Sequence, residues 1–287
     1  MSKFGGYLHL IRPLNCLMMG TAVIVGATLA NPNIGYGSWQ SLVFGFVTGF
    51  VLTAASMTIN DYYDRQIDAI NEPGRPIPSG LIKPRDALIF AAILSMLGFA
   101  AASLTAAYLK DVLCLVVAII AWMAFVAYTT IGKRSGLPGN FLVSTCVAVP
   151  FVYGMAIVAE VKLNVLLFAS VAFLSNTGRE ITKGIVDVKG DAASNVKTIA
   201  VRYGEKKAAV AAASFYVSAI LLSPIPWFLN LVSVSFIPLV LLTDIGLAAS
   251  SFMLLRDYSR ENARKIKNTV LLWFIIGLLA FIIGAIK

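Results

Sequence analysis

The stretch NDYYDRQIDAINEPGRPIPSG, residues 60–80, gathers carboxylates at the end of a hydrophobic segment. The apolar run before it carries no charge, and then Asp61, Asp64 and Asp68 follow closely. At 100° per residue these three acids point into an arc of about 60° if the preceding helix continues through them. Carboxylates on one helical stripe repel each other, and Arg65 lies on a different side of the helix. The spacing therefore predicts that a divalent cation offsets the repulsion. We call residues 60–68 the first acidic motif.

A second set of charges lies in REITKGIVDVKGD, residues 179–191. Arg179, Lys183, Asp187 and Asp191 are each four residues apart, so on one continuous helix they share a face. That face presents two cations and then two carboxylates. We call residues 187–191 the second acidic motif. Its presence weakens the alternative interpretation of the first motif as a solvated helix end that happens to be acidic.

The composition is that of a helical membrane protein. Hydrophobic residues make up 59% of the chain and charged residues 13%, whereas soluble domains carry about 25% charged residues. Because an apolar helix needs about 20 residues to cross a bilayer, the sequence predicts an all-α bundle of nine transmembrane helices. The predicted spans are 12–30, 41–59, 86–107, 111–131, 139–159, 163–184, 207–229, 231–254 and 268–286.

The loop charges predict an orientation. With the N-terminus in the cytoplasm, 20 of the 23 basic residues fall on the cytoplasmic side, and the exceptions are Lys110, Lys162 and Lys287. This is the positive-inside bias of multi-pass proteins. It predicts a cell-membrane protein whose two acidic motifs are cytoplasmic. Attraction to anionic lipid headgroups accounts for much of the net charge of +9, and the expected partner is the bilayer and not a nucleic acid.

The metal chemistry is restricted by the scarcity of soft ligands. The chain has one histidine, His9, and three cysteines that lie far apart within apolar runs. A disulfide framework is not expected, and zinc, haem and iron–sulfur sites are nearly excluded. Magnesium prefers oxygen ligands and usually binds a few carboxylates together with substrate phosphates. Two carboxylate groups accompanied by bases therefore favour a site for magnesium and a phosphorylated ligand.

Four further residues are candidates for a role. Arg75 lies in a loop rich in proline and glycine, which predicts a rigidly aimed guanidinium, although a solvated arginine is the alternative. Lys133 ends the fourth predicted span, where a membrane anchor explains it equally well. Asn15 interrupts an apolar run, and hydrogen bonding between helices explains it equally well. Asp244 is the only acid deep within a span, and its partner is not identifiable from the sequence.

The two acidic motifs resemble each other. Asp64-x-x-x-Asp68-Ala69 matches Asp187-x-x-x-Asp191-Ala192 after four predicted spans, and internal repeats are common in membrane folds. We therefore expect one transmembrane domain over residues 1–287, with duplicated four-helix units over about 12–131 and 139–254 and a ninth helix over 268–286.

These motifs resemble those of a known family. NDYYDRQID resembles the NDxxDxxxD motif of the UbiA superfamily of membrane prenyltransferases, DVKGD resembles its second aspartate motif, and Lys183 stands where its basic residue is expected. The resemblance covers the whole chain. It implies a helical bundle around a central cavity, with cytoplasmic loops capping a diphosphate site.

The resemblance also implies roles for individual residues and a magnesium cofactor. The implied magnesium ligands are Asn60, Asp61, Asp64, Asp68, Asp187 and Asp191. The implied substrate-binding residues are Asn15, Asn60, Arg75, Lys133, Arg179 and Lys183. The implied catalytic residues are Asp64, Asp68, Asp187, Asp191 and Lys183.

Within the superfamily, YLHLIRPLNCLMMG, INEPGRPIPSG and the RE pair ahead of Lys183 are most similar to the branch that makes archaeal ether lipids. Gly184 departs from that branch, where a more polar residue is expected. The similarity implies transfer of a geranylgeranyl group from geranylgeranyl diphosphate to the free glycerol hydroxyl of geranylgeranylglyceryl phosphate. A chlorin or aromatic acceptor is the main alternative. A cation transporter is another, but it favours acids near the membrane midplane, where only Asp244 qualifies.

Overall fold

The computed structural model describes residues 2–34 and 39–285, and within these ranges it contains helices but no β-strand. Two short 3₁₀ segments, Gly132–Ser135 and Val234–Phe236, lie between α-helices. The α-helices are α1 (Lys3–Ile11), α2 (Pro13–Ala30), α3 (Trp39–Asn71), α4 (Pro84–Leu109), α5 (Leu113–Thr130), α6 (Leu137–Val158), α7 (Leu163–Val186), α8 (Val188–Ala193), α9 (Ile199–Tyr203), α10 (Glu205–Leu222), α11 (Ile225–Phe228), α12 (Ile237–Arg256) and α13 (Arg260–Ala285).

Eight helical segments of the described chain are long and apolar enough to cross a membrane. The chain is therefore a multi-pass membrane protein, as predicted. The predicted sixth span, 163–184, forms α7 but is not one of the eight, because its second half carries several polar and charged side chains. Eight of the nine predicted spans are therefore supported. Residue 286, the last of the ninth predicted span, lies outside the described residues.

The helix α3 continues through the first acidic motif, as predicted. Its 33 residues correspond to about 50 Å of helix, whereas the hydrocarbon core of a bilayer is about 30 Å thick. The apolar part of α3 therefore spans the membrane and its last turns carry the acids beyond that part.

The second acidic motif has a different backbone. The helix α7 ends at Val186, Asp187 adopts φ −97° and ψ 5°, and α8 begins at Val188. The prediction that Arg179 to Asp191 lie on one continuous helix is therefore wrong. The interruption leaves the first N–H groups of α8 without partners in their own helix.

The helices α2 and α6 form a close pair in the middle of the bundle. A methyl group at Gly26 would overlap the carbonyl of Phe151, and one at Gly154 would overlap the carbonyl of Val23. Small residues of this kind allow membrane helices to approach closely. An apolar cavity lies between this pair and α7, α12 and α13. Another lies between the pair, α3 and α5.

Candidate active site

Asp61 and Asp68 are buried on α3 and form ion pairs with two arginines. Arg12 Nη2 lies 2.6 Å from Asp61 Oδ1. Arg75 Nη1 bridges the two acids, 3.3 Å from Asp61 Oδ1 and 2.7 Å from Asp68 Oδ2. Burial disfavours the charged guanidinium, but the carboxylates of Asp61 and Asp68 outweigh it and raise the pKa of Arg75. The loop after α3 thus folds back and places the positive charge of Arg75 beside the acids of α3.

Asp64 is the third buried acid of the stripe, and its partners come from two elements. Asn60, one turn earlier on α3, donates from Nδ2 to Asp64 Oδ2 at 2.7 Å. The ammonium group of Lys133, in the segment Gly132–Ser135, forms an ion pair with Asp64 Oδ1. Lys133 is therefore part of the acidic site and not only an anchor at a helix end.

These ion pairs add partners that the sequence did not identify. Arg12, Arg75 and Lys133 each place a positive charge beside the three acids and so reduce their mutual repulsion. The bases come from residues distant in sequence, so helical spacing within the motif does not reveal them. Arg65 behaves as predicted, because it lies over the ring of Tyr62 and donates to the Tyr62 carbonyl.

The bases that precede the second motif pair with an acid that sequence reasoning missed. Glu180 accepts from Arg179 Nη1 at 3.2 Å and lies 3.7 Å from Lys183 Nζ. All three side chains project from the last turns of α7. The RE pair in the sequence was a signal for the resemblance, but it gave no reason to expect an acid here as the partner of both bases.

The two acids of the second motif are held differently from those of the first. Asp187 is half-buried and Asp191 is buried, and within residues 2–34 and 39–285 neither forms an ion pair. Burial raises the pKa of Asp191 to about 7, although the charge of Lys133 opposes this shift. Lys133 thus acts on acids of both motifs.

The structure brings the two acidic motifs to the same end of the bundle, as predicted. Asn71, the last residue of α3, donates from Nδ2 to the Asp187 carbonyl at 3.1 Å. Its Oδ1 accepts from the Gly190 N–H at 3.1 Å. Arg260, the first residue of α13, donates to the carbonyls of Val186 and Asn71. Neither Asn71 nor Arg260 was identified from the sequence.

The remaining candidates lie apart from this contact. The side chain of Asn15 is half-buried in the first turn of α2, where its backbone N–H donates to the Arg12 carbonyl. Asp244 Oδ2 accepts from Ser223 Oγ at 2.6 Å, and both residues line the apolar cavity beside α7, α12 and α13. The partner that the sequence could not identify for Asp244 is therefore Ser223.

The residues of the two motifs fit a magnesium ion that a substrate helps to bind. In the part of the chain that the structure describes, no three acidic, histidine or cysteine side chains form a closed metal site. However, Asp61 Oδ2 is buried without a hydrogen-bond partner there, as is Arg179 Nε. One is an acceptor and the other a donor. Magnesium is usually held by one or two carboxylates plus substrate phosphates, and these oxygen donors suit it.

Comparison with known proteins gives consistent matches over the whole chain. The UbiA prenyltransferase family matches residues 19–284. Digeranylgeranylglyceryl phosphate synthase of Natronomonas pharaonis is 35% identical over 98% of this chain and 100% of its own length. A solved structure described as digeranylgeranylglyceryl phosphate synthase in membranes has a TM-score of 0.73 and 32% identity, with both chains fully covered. A UbiA homologue from Archaeoglobus fulgidus, solved with DMAPP and Mg²⁺, has a TM-score of 0.68 and 18% identity, covering 96% of this chain and 99% of its own.

Proposed function

Because this chain belongs to the UbiA prenyltransferase family, we propose that it transfers a geranylgeranyl group from geranylgeranyl diphosphate to the free glycerol hydroxyl of geranylgeranylglyceryl phosphate. The product carries the second ether bond of an archaeal membrane lipid. The observation that carries the proposal is that two acidic motifs and five bases lie at one end of a bundle that contains apolar cavities. The bases are Arg12, Arg75, Lys133, Arg179 and Lys183. The relatives at 31–35% identity named digeranylgeranylglyceryl phosphate synthase support the choice of substrates.

The proposed site suits substrates with an anionic head and a polyprenyl tail. The apolar cavities beside α2 and α6 offer hydrocarbon surface to the tails. The charged cluster at the helix ends offers cations to the heads, and we place it on the cytoplasmic face because of the loop charges. A carboxylate cluster at the end of an apolar segment therefore serves both parts of one molecule.

In this proposal the oxygen donors of the two motifs hold magnesium together with the diphosphate. The first motif contributes Asn60, Asp61, Asp64 and Asp68, and the second contributes Asp187 and Asp191. Bound magnesium supplies positive charge that stabilises the departing diphosphate. The unpartnered oxygen of Asp61 supports an ion at the first motif.

The bases orient the diphosphate and stabilise it as it leaves. Arg75, Lys133, Arg179 and Lys183 donate to its oxygens, where negative charge grows as the bond to the allylic carbon breaks. Arg179 Nε already lacks a protein partner within the described residues. Asn15 lies one turn from Arg12 and is a further polar contact for a substrate head.

The reaction exchanges one carbon–oxygen bond for another. The bond between C1 of the geranylgeranyl group and the diphosphate oxygen breaks, and the diphosphate takes the electron pair. The glycerol hydroxyl oxygen bonds to C1 and releases its proton to an aspartate of either motif or to the departing diphosphate. The apolar cavities keep water away from the cationic allylic carbon.

An acceptor panel tests this proposal. Purified protein in lipid nanodiscs receives magnesium, labelled geranylgeranyl diphosphate, and either geranylgeranylglyceryl phosphate, an aromatic acid or a chlorin. Label is expected in the glycerol lipid only, and Asp64→Asn is expected to abolish the transfer. Asp86→Asn is the matched control, because Asp86 is exposed in the first turn of α4. Labelling of only the aromatic or chlorin acceptor would overturn the choice of acceptor.

A further inference from the structure

The contact between α3, the helix of the first acidic motif, and the second acidic motif depends on the side-chain amide of one residue, Asn71. This amide is buried, with 6% of the residue exposed. It uses its donor on the Asp187 carbonyl and its acceptor on the Gly190 N–H, both at 3.1 Å. An aspartate of the same shape has no N–H for the carbonyl, and an alanine has neither group.

Asn71 supplies an N-terminal cap to α8 from another helix. Asp187 is the residue before α8, and aspartate at that position usually accepts from the second or third N–H of its helix. Here the Asp187 side chain makes no such bond. Asn71 accepts from the third N–H, that of Gly190, instead. The carboxylate of Asp187 is thereby released from capping and remains available to a ligand.

The approach of Asn71 also explains the glycine within DVKGD. A methyl group at Gly190 would overlap the Asn71 amide nitrogen. Gly190 lies within α8 and its φ is not positive, so the requirement is for space. The glycine and the asparagine therefore form one contact between the end of α3 and the second motif.

Arg260 makes a second connection at the same place. Its Nε donates to the Val186 carbonyl at 2.9 Å and its Nη2 donates to the Asn71 carbonyl at 3.1 Å. These carbonyls belong to the last residues of α7 and α3, where helices leave carbonyls without partners and favour a cation. One guanidinium thus fixes the ends of the two helices that carry the motifs.

We propose that Asn71 and Arg260 are positioning residues that hold the two acidic motifs at one separation, so that a single magnesium-bound diphosphate contacts both. This inference rests on the proposed function. Neither residue touches the diphosphate. Asn71 acts through the backbone of the second motif. Arg260 acts through the carbonyls that end α7 and α3, beside the two motifs.

Hydrogen exchange and ligand binding test the proposal separately from catalysis. In Asn71→Ala, amides 187–193 are expected to exchange at least about ten times faster than in the wild-type protein, because the cap is lost. Titration with magnesium and inorganic pyrophosphate is expected to show about 10–100-fold weaker binding, the usual effect of losing a group that orients metal ligands. Arg260→Lys should also weaken binding, because one ammonium point charge cannot replace a guanidinium fork that serves two carbonyls. The effect should be smaller than in Asn71→Ala, because lysine keeps the positive charge.

Two controls exclude a general loss of structure. Asn262 also donates from its amide to backbone carbonyls, those of Met253 and Asp257, but it touches neither motif, so Asn262→Ala should preserve binding and exchange over 187–193. Gly190→Ala should weaken binding in the wild-type background and have little further effect in Asn71→Ala, where the overlap is gone.

Unchanged exchange over 187–193 in Asn71→Ala, or unchanged pyrophosphate binding, overturns the positioning role. A wild-type protein that binds magnesium and pyrophosphate but transfers no prenyl group overturns the proposed function and leaves the positioning role standing.

Discussion

The two acidic motifs perform similar tasks with different architectures. The first lies on an unbroken helix, and each of its three acids pairs with a base from another part of the chain. The second lies across a helix break, and its position depends on backbone hydrogen bonds from Asn71 to Asp187 and from Arg260 to the adjacent Val186. The first is therefore neutralised by side chains before a ligand binds, whereas the second is positioned through its main chain.

Because of this difference, removing an acid from the first motif should lower the stability of the protein more than removing one from the second. Removing a carboxylate from the first motif takes an ion-pair partner away from a half-buried base, and that is destabilising. Removing one from the second motif breaks no ion pair of the described chain. Equal effects on activity should therefore accompany unequal effects on stability.

The largest expected effects come from Asp64→Asn and Asp187→Asn. Each should lower prenyl transfer by more than about 100-fold, because each removes a proposed magnesium ligand. Asp64→Asn should also cost about 2 kcal/mol of stability, since the half-buried Lys133 loses its charged partner, while Asp187→Asn should cost less than about 1 kcal/mol. Thermal unfolding in detergent beside the activity assay checks both. Equal destabilisation by the two variants would contradict the contrast between the motifs.

The next effect concerns the ligand. Magnesium alone must compete with Arg12, Arg75 and Lys133 for the first motif, whereas pyrophosphate gives these bases a new anionic partner. Magnesium and pyrophosphate together, at about 100 times their dissociation constant, should stabilise the protein by about 2.7 kcal/mol. Magnesium alone should give much less, and a chelator should abolish the combined effect. Full stabilisation by magnesium alone would show that the three bases do not compete with magnesium for the acids of the first motif.

A smaller effect is expected from Arg75→Lys. The Arg75 guanidinium contacts both Asp61 and Asp68, and an ammonium group cannot reproduce that arrangement. Activity should fall about tenfold, and the KM for geranylgeranyl diphosphate should rise. Arg85→Lys, at an exposed position in the first turn of α4, should leave the kinetics unchanged. Wild-type kinetics in Arg75→Lys would mean that its charge alone matters.

The sequence predicts the first motif better than the second because of the helix break. Periodicity correctly places Asp61, Asp64 and Asp68 on one face of α3, since nothing interrupts that helix. The same rule fails at Asp187, where bonds from Asn71 and Arg260 replace those of a continuous helix. Such bonds join residues more than 70 positions apart, and no spacing rule detects them.

Long-range electrostatics is the other part that the sequence conceals. Arg12 and Lys133 are visible as charges, but their pairing with Asp61 and with Asp64 depends on how the helices pack. The composition and span pattern predict the membrane bundle because hydrophobicity acts over whole segments. They predict the sixth span less well, because α7 combines an apolar half with the charged half that enters the site.

The smallest effect is expected at Asp244, a carboxylate outside both motifs. Its contact in the structure is the bond from Ser223 Oγ, and Asp244→Asn retains an oxygen that accepts it. The substitution should change activity less than about twofold and stability by no more than about 1.5 kcal/mol, the net value of one hydrogen bond. Ser223→Ala is the matched variant, because it removes the donor and keeps the acid. Loss of activity comparable to that of Asp64→Asn would show that an acid within the membrane is itself functional. Ion flux through liposomes that depends on Asp244 and survives Asp64→Asn would then favour cation transport over prenyl transfer.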